Sequence, residues 1–329
     1  MGRLKELRDP YDIFHIEGRV KAKSATYPSY LELYERGVLR ERVEEARKRL
    51  ESCTLCPNVC RADRLKGEMG QCKVGRFALV SSFGPHFGEE SVLRGTRGSG
   101  TVFFAGCNLK CLYCQNYEIS QLLDGADVNA EKLAEIFLRV QSMGCHNLNL
   151  VTPSHVVAQI LEALELAIPQ GFKLPIVYNT SGYDSVQALR LLDGVVDIYM
   201  PDLKYSDSAI AEKYSGIKHY WEVARVAFKE MHRQVGDLVI EDGLAKRGLL
   251  IRHLVLPYGL AGSREVLRFI AEGLSRNSWV NVMTQYHPAY KAFEYPELSR
   301  RITSSEYVEA VEYARSLGLH RGIPFEYID

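Results

Sequence analysis

Thr101-Val102-Phe103-Phe104-Ala105-Gly106-Cys107-Asn108-Leu109-Lys110-Cys111-Leu112-Tyr113-Cys114 is the stretch on which the reading of this chain turns. Its first half is an apolar run rich in β-branched and aromatic residues, which predicts a strand ending at Gly106. Its second half has C-x3-C-x2-C spacing and leaves the end of that strand as a loop. In α/β architectures, loops at the C-terminal ends of strands carry chemistry. Three thiolates ligate three irons of a [4Fe–4S] cluster and leave the fourth iron open. An open iron suits a cluster that binds a substrate molecule, whereas a cluster that only carries electrons takes four cysteines. A zinc or redox loop of three cysteines is the plainer alternative.

Apolar runs alternate with helical stretches onward from this point. Strands are predicted at 101–106, 148–152, 175–179, 195–200, 249–256 and 280–283. Helices follow at 130–143, 154–167 (with Ser154 as N-cap), 184–192, 207–234, 263–275 and 304–317, with Gly318 as the last stop. Six βα units imply a parallel sheet covered by helices, too few for a closed eight-fold barrel. The expected fold class is α/β, an open, partial (β/α)6 barrel. Three regions are expected. Residues 1–50 form a polar helical extension, 51–98 a loop-rich metal-binding segment with four cysteines, and 99–329 the barrel. The extension is expected to lie beside the core as a satellite.

The stretch C-x3-C-x-aromatic-C after a barrel strand, with Tyr113 at the aromatic position, resembles the radical S-adenosylmethionine (SAM) superfamily. The likeness runs along most of 99–290 and is nearest to the pyruvate formate-lyase activating-enzyme branch. It implies that Cys107, Cys111 and Cys114 hold a [4Fe–4S] cluster whose open iron chelates SAM. Reductive cleavage then yields a 5′-deoxyadenosyl radical that abstracts hydrogen. Asp202-Leu203-Lys204 matches the D-x-K motif of the branch, which implies that Lys204 contacts the SAM carboxylate and that Asp202 is a polar or cation-binding group. Arg252 and His287 lie where the branch places further SAM contacts. The G-G-E motif that receives the SAM ammonium is replaced by Asn149-Leu150-Val151-Thr152-Pro153-Ser154-His155. Thr152 and Ser154 are the expected substitutes.

The chain has 329 residues and eight cysteines, seven of them in two groups. Clustered cysteines in a reducing compartment read as metal ligands. Cys145, alone, reads as a small buried hydrophobe. Cys53, Cys56, Cys60 and Cys72 supply four thiolates. Such a set saturates either a zinc ion or an auxiliary [4Fe–4S] cluster, and so serves structure or electron relay. Lys+Arg and Asp+Glu are both 41, so no overall basic field calls for nucleic acid. No apolar run spans a membrane and the N-terminus lacks a signal-peptide core, so a cytoplasmic protein is expected. The resemblance implies an oxidoreductase acting on a protein or peptide, like the activases of glycyl radical enzymes. It also implies an electron donor such as flavodoxin or ferredoxin. The competing readings are radical modification of a small molecule or RNA, and a non-catalytic iron–sulfur electron carrier.

Overall fold

The computed structural model describes residues 27–324; the first 26 residues of the expected helical extension and the last five of the chain lie outside them. Nine strands run in chain order: β1 (Ala78–His86), β2 (Ser99–Phe104), β3 (Ala126–Val128), β4 (Leu148–Val151), β5 (Ile176–Thr180), β6 (Ile198–Pro201), β7 (Val239–Glu241), β8 (Leu244–Leu254) and β9 (Trp279–Met283). β2, β4, β5, β6, β8 and β9 are parallel neighbours in that order. These are the six strands of the predicted βα units, and they form the partial barrel. β1 pairs antiparallel with β2, and β3 with β1, while β7 folds back on β8.

Side chains alternate across these strands, and the two faces belong to different cores. On β5, Ile176 and Tyr178 join the large cluster with the helices, whereas Val177 joins Leu93, Ile198, Met200 and Leu250 inside the curve of the sheet. The helices form where the apolar spacing places them. In Ala130–Ser142, the buried residues Leu133, Ile136, Phe137 and Val140 make one stripe, and Asn129 caps the start by accepting from the Lys132 N–H at 2.9 Å. Burying four such side chains contributes about 6–12 kcal/mol before entropy is subtracted. The last helix, Ser304–Ser316, starts with a capping box between Thr303 and Glu306, and Gly318 follows it at φ 85°.

Four expectations change. The helix expected at 154–167 begins only at Val157, because Ser154 turns its hydroxyl to Thr180 (2.9 Å) instead of capping. The stretch 207–234 is two helices, Ser208–Ser215 and Tyr220–Val235. The 51–98 segment is not loop throughout, since it contains β1 and a short helix, Ser91–Arg94. The described part of the extension is not a satellite. Its helices, Tyr30–Glu35 and Val38–Lys48, bury Tyr30, Leu39, Val43 and Ala46 in the main core. Among the described residues, no helix is long and apolar enough to cross a membrane.

Candidate functional site

The three-cysteine loop leaves β2 through Gly106, whose φ of 79° a side chain rarely adopts. Two main-chain bonds then pin the loop to the end of the 208–215 helix: Lys110 N–H donates to Ser215 O and Leu112 N–H to Tyr214 O, both at 2.8 Å. Each sulfur has a hydrogen-bonding neighbour. Leu109 N–H donates to Cys107 Sγ at 3.4 Å, the Ser215 hydroxyl to Cys111 Sγ at 3.0 Å, and the Ser120 hydroxyl stands 3.1 Å from Cys114 Sγ. Hydrogen bonds to ligating sulfurs orient a cluster and tune its potential. Burial first, then the neighbouring Cys111, pushes Cys107 up to about 12. Cys111 is pushed up to about 11 by burial, against the pull of Lys204 and with the push of Cys114. The three thiols therefore sense one another across a shared site, and ligation there expels protons. Among the described residues, no three His, Cys, Asp or Glu side chains close around a single ion. The fit to a cluster rests on the convergence of three thiols and on their hydrogen-bonding neighbours.

Beside this loop, Asp202 follows β6 in a bridge to Arg252 on β8. Lys204 Nζ donates to Asp202 Oδ2 at 2.8 Å, and Arg252 Nε to Oδ1 at 2.7 Å. Burial alone would raise the Asp202 pKa, but Arg252 and Lys204 overcome it and hold the carboxyl at about 2. Burial works against the charge of Lys204, yet Asp202 and then Cys111 raise its pKa. An ammonium thus stays charged within electrostatic reach of the cysteine loop. Fully buried His253 braces this pair from behind: it bonds Leu203 O through Nδ1 (2.7 Å) and the Ser263 hydroxyl through Nε2 (2.8 Å). Burial lowers its pKa to about 4, so the ring is neutral at pH 7.

The remaining predicted residues divide. His287 reaches the loop, its Nδ1 lying 3.2 Å from Nε2 of Gln115, the residue after Cys114. Thr152 sits at the end of β4 with φ 60°, a left-handed backbone at the site where the G-G-E motif is missing. Ser154 is 2% exposed, with its hydroxyl committed to Thr180, which in turn donates to Asp184 at 2.6 Å. The Tyr113 hydroxyl is engaged by Tyr205 at 2.5 Å, and its ring meets Tyr286 edge-on. A cleft of about 960 Å³ lies near the four-cysteine loop, lined by Cys56, Asn58, Tyr183 and Lys218 among others, and not by Asp202 or Lys204. Tyr183 stacks on Tyr220, whose hydroxyl donates to Asp202 O and accepts from Lys204 N–H.

Cys53, Cys56, Cys60 and Cys72 come together and abut the first loop. The Cys56 thiol is pushed up by burial and then by Cys72, Cys53 and Cys60. A Cβ on Gly70 would lie 2.3 Å from Cys60 Sγ, and one on Gly106 would lie 2.7 Å from Cys72 O. Asn58 Nδ2 donates to Asn108 O at 2.8 Å. Arg64, wholly buried, runs through this junction. Its Nε donates to Gly75 O (2.8 Å) and its Nη1 to His155 O (2.7 Å), with Cys53 Sγ 3.9 Å away, while Nη2 has no partner. His155 continues the path, its Nε2 lying 3.1 Å from Ala105 O, two residues before Cys107. The unpartnered guanidinium nitrogen and the nearby thiols fit a negatively charged tetrathiolate centre.

Several polar residues that the sequence reading passed over stand in the barrel lumen. Arg252 Nη2 donates to Asn179 Oδ1 (2.7 Å), and its Nη1 lies 3.8 Å from Glu89. Asn281 donates to Glu90 Oε1 at 2.9 Å. Asn149, 0% exposed, has neither amide atom partnered. An asparagine inside an otherwise apolar strand, as at 149 and 179, was the available signal. Glu89 and Glu90 gave none, because their segment shows no periodicity.

A family model described as the Radical SAM superfamily matches residues 101–241. An uncharacterized protein of Methanocaldococcus jannaschii, MJ0674, is 33% identical over 299 residues, covering 88% of this chain and 82% of its own. The pyruvate formate-lyase-activating enzyme of Clostridium pasteurianum is 27% identical over 52% of this chain, which spans 66% of that enzyme, just under two thirds. Among solved structures, the FeFe-hydrogenase maturase HydG of Carboxydothermus hydrogenoformans aligns with a TM-score of 0.44 at 12% identity. The alignment covers 65% of this chain and 49% of that one.

Proposed function

Since the chain belongs to the radical SAM superfamily, we propose that its barrel mouth cleaves SAM to act on a protein or peptide, in the manner of glycyl-radical activases. The observation that carries this reading is the convergence of Cys107, Cys111 and Cys114 beside the Asp202–Lys204–Arg252 network. When bound, a [4Fe–4S] cluster with SAM supplies one-electron cleavage of the sulfonium to a 5′-deoxyadenosyl radical. The chain's own residues do the rest. Cys107, Cys111 and Cys114 are the ligands, and Ser215, Ser120 and the Leu109 N–H hold their sulfurs. Lys204 offers its ammonium to a carboxylate, while Asp202 fixes Lys204 and Arg252 in place. His287 and Gln115 join the loop after β9 to the cysteine loop. Buried Tyr113, Tyr205 and Tyr286 keep water from its inner side.

The four other cysteines are read as a second, coordinatively saturated centre, an auxiliary [4Fe–4S] cluster rather than zinc. The experiment is anaerobic reconstitution followed by dithionite reduction with SAM. Release of 5′-deoxyadenosine is expected, and Cys111→Ala is expected to abolish it. An intact, reduced cluster that leaves SAM uncleaved overturns the enzyme reading in favour of an electron carrier. Metal analysis of the Cys107→Ala, Cys111→Ala, Cys114→Ala triple variant tests the second centre. About four irons with matching sulfide are expected, and one zinc with no iron overturns it.

A further inference from the structure

A guanidinium stays charged at any pH a protein meets, and a buried charge without a counter-charge is costly. Arg64 is in that position. Its side chain is wholly buried and held by two main-chain carbonyls, Gly75 O and His155 O, neither of which carries net charge. No carboxylate pairs with it among the described residues, and its Nη2 has no hydrogen-bond partner. Asp63, next to it in the chain, turns its carboxylate to Lys66 at 2.7 Å instead. The groups around Arg64 that can become negative are thiols. Cys53 Sγ lies 3.9 Å from Nη1, and at Cys72 burial raises the thiol while the charge of Arg64 opposes it.

The main chain fixes this approach. Arg64 N–H donates to Leu50 O (2.8 Å) and to Ala62 O (3.1 Å), and Cys53 N–H donates to the same Ala62 carbonyl at 3.0 Å. The turn that carries the guanidinium is thereby tied to the backbone of Cys53. His155 adds no second charge, since burial and then Arg64 lower its pKa to about 3. Lys110 also reaches Cys72, but it is only half-buried and its charge is shared with Cys107 and Cys111.

We infer that the four-cysteine centre is an electron-holding site and that Arg64 makes it so, as the fixed counter-charge that favours the reduced state of an iron–sulfur cluster held by Cys53, Cys56, Cys60 and Cys72. Reduction takes one electron from an external one-electron reductant, breaks no bond and leaves the centre one charge more negative. A buried cation in low dielectric stabilises that form more than the oxidised one, and an N–H directed at a ligating sulfur acts in the same sense. Zinc has no second charge state to favour. Arg64 acts in this way only where the four cysteines hold iron and sulfide, as proposed above.

The test is an EPR-monitored redox titration of the full-length Cys107→Ala, Cys111→Ala, Cys114→Ala protein after anaerobic reconstitution, in which the second cluster alone is present. Arg64→Met, added to this parent, removes the charge, and Arg64→Lys keeps it. At a fixed potential, Arg64→Met is expected to lower the reduced-to-oxidised ratio about ten-fold, a fall in midpoint of about 59 mV for one electron. Arg64→Lys is expected to lower it by less than about three-fold. An unchanged ratio in an Arg64→Met protein with the parent's iron and sulfide content overturns the inference. So does an Arg64→Lys protein that falls as far as Arg64→Met, which marks the arginine as structural only. If Arg64→Met takes up no cluster, pulsed EPR of the parent grown on arginine enriched in heavy nitrogen decides. A nitrogen coupling on the reduced cluster that Arg64→Lys lacks supports the inference, and no coupling overturns it. Failure of the second-centre reading shows separately and earlier, as one zinc and no iron in the parent.

Discussion

Asp202 illustrates how much rests on one carboxylate. It accepts from Lys204 and Arg252, whose side chains are 16% and 17% exposed. Asp202→Asn leaves two largely buried cations without their counter-charge, and a loss of about 3–5 kcal/mol in stability is expected from denaturant unfolding. The same group sets an acid limit. Its folded pKa of about 2 lies below the 3.8 of the free group, so its contribution is complete above pH 4 and drains as the pH falls through 2. Asp197 acts in the opposite sense. Burial raises its pKa from 3.8 to about 6, and its contribution is full below pH 4 and lost as the pH rises through 6. Asp197→Asn is expected to flatten stability between pH 4 and 6 while leaving the acid limb, as followed by urea midpoints across that range. At this scale the sequence was readable where residue type and spacing coincide, as in C-x3-C-x2-C and D-x-K. It was silent on Arg64, Ser120 and Ser215. Arginine and serine are common, and only the fold brings these three to sulfur.

Among the elements, the parallel strands were legible because they are largely buried on both faces and so read as apolar runs broken by single polar residues. β1 was not, because its burial is irregular and its register to β2 shifts between Val80 and Ser82. The split of 207–234 into two helices was equally hidden. It turns on His219 at φ 56°, which a periodicity count does not register. The joint between β2 and the cysteine loop is tightly fitted. Gly106→Ala places a methyl 2.7 Å from Cys72 O and 2.8 Å from Val74 Cγ2 at a φ of 79°. Strain and overpacking together are expected to destabilise the protein by about 2–5 kcal/mol. The cysteine loop and the four-cysteine segment meet at this glycine. Iron bound per chain after reconstitution is therefore expected to fall at both centres, as read by metal analysis.

In the whole molecule, the N-terminal segment and the barrel share one core, a feature invisible in a sequence where charges dominate 30–50. Tyr30 stacks on Phe172 at 6.0 Å and donates to Leu174 O at 2.8 Å, and Arg76 forms a forked pair with Glu162 at 2.7 and 2.9 Å. The loops between, from 51 to 75, have little regular structure, and a metal held by their four cysteines, as proposed, would order them. Chelating that metal is expected to open cleavage by trypsin within 51–75 while the parallel strands stay protected from hydrogen exchange, as mass spectrometry of the peptides would show. The short stretch after β1 has a different consequence. Glu89 and Glu90 reach Arg252 on β8 and Asn281 on β9, so this stretch ties the two ends of the open sheet together. The tie is made by side chains and not by a main-chain ladder. Glu90 comes before β2 and Asn281 lies on the last parallel strand, 191 residues away, so this edge is set only once nearly the whole sheet is in place, which makes it a late event in folding.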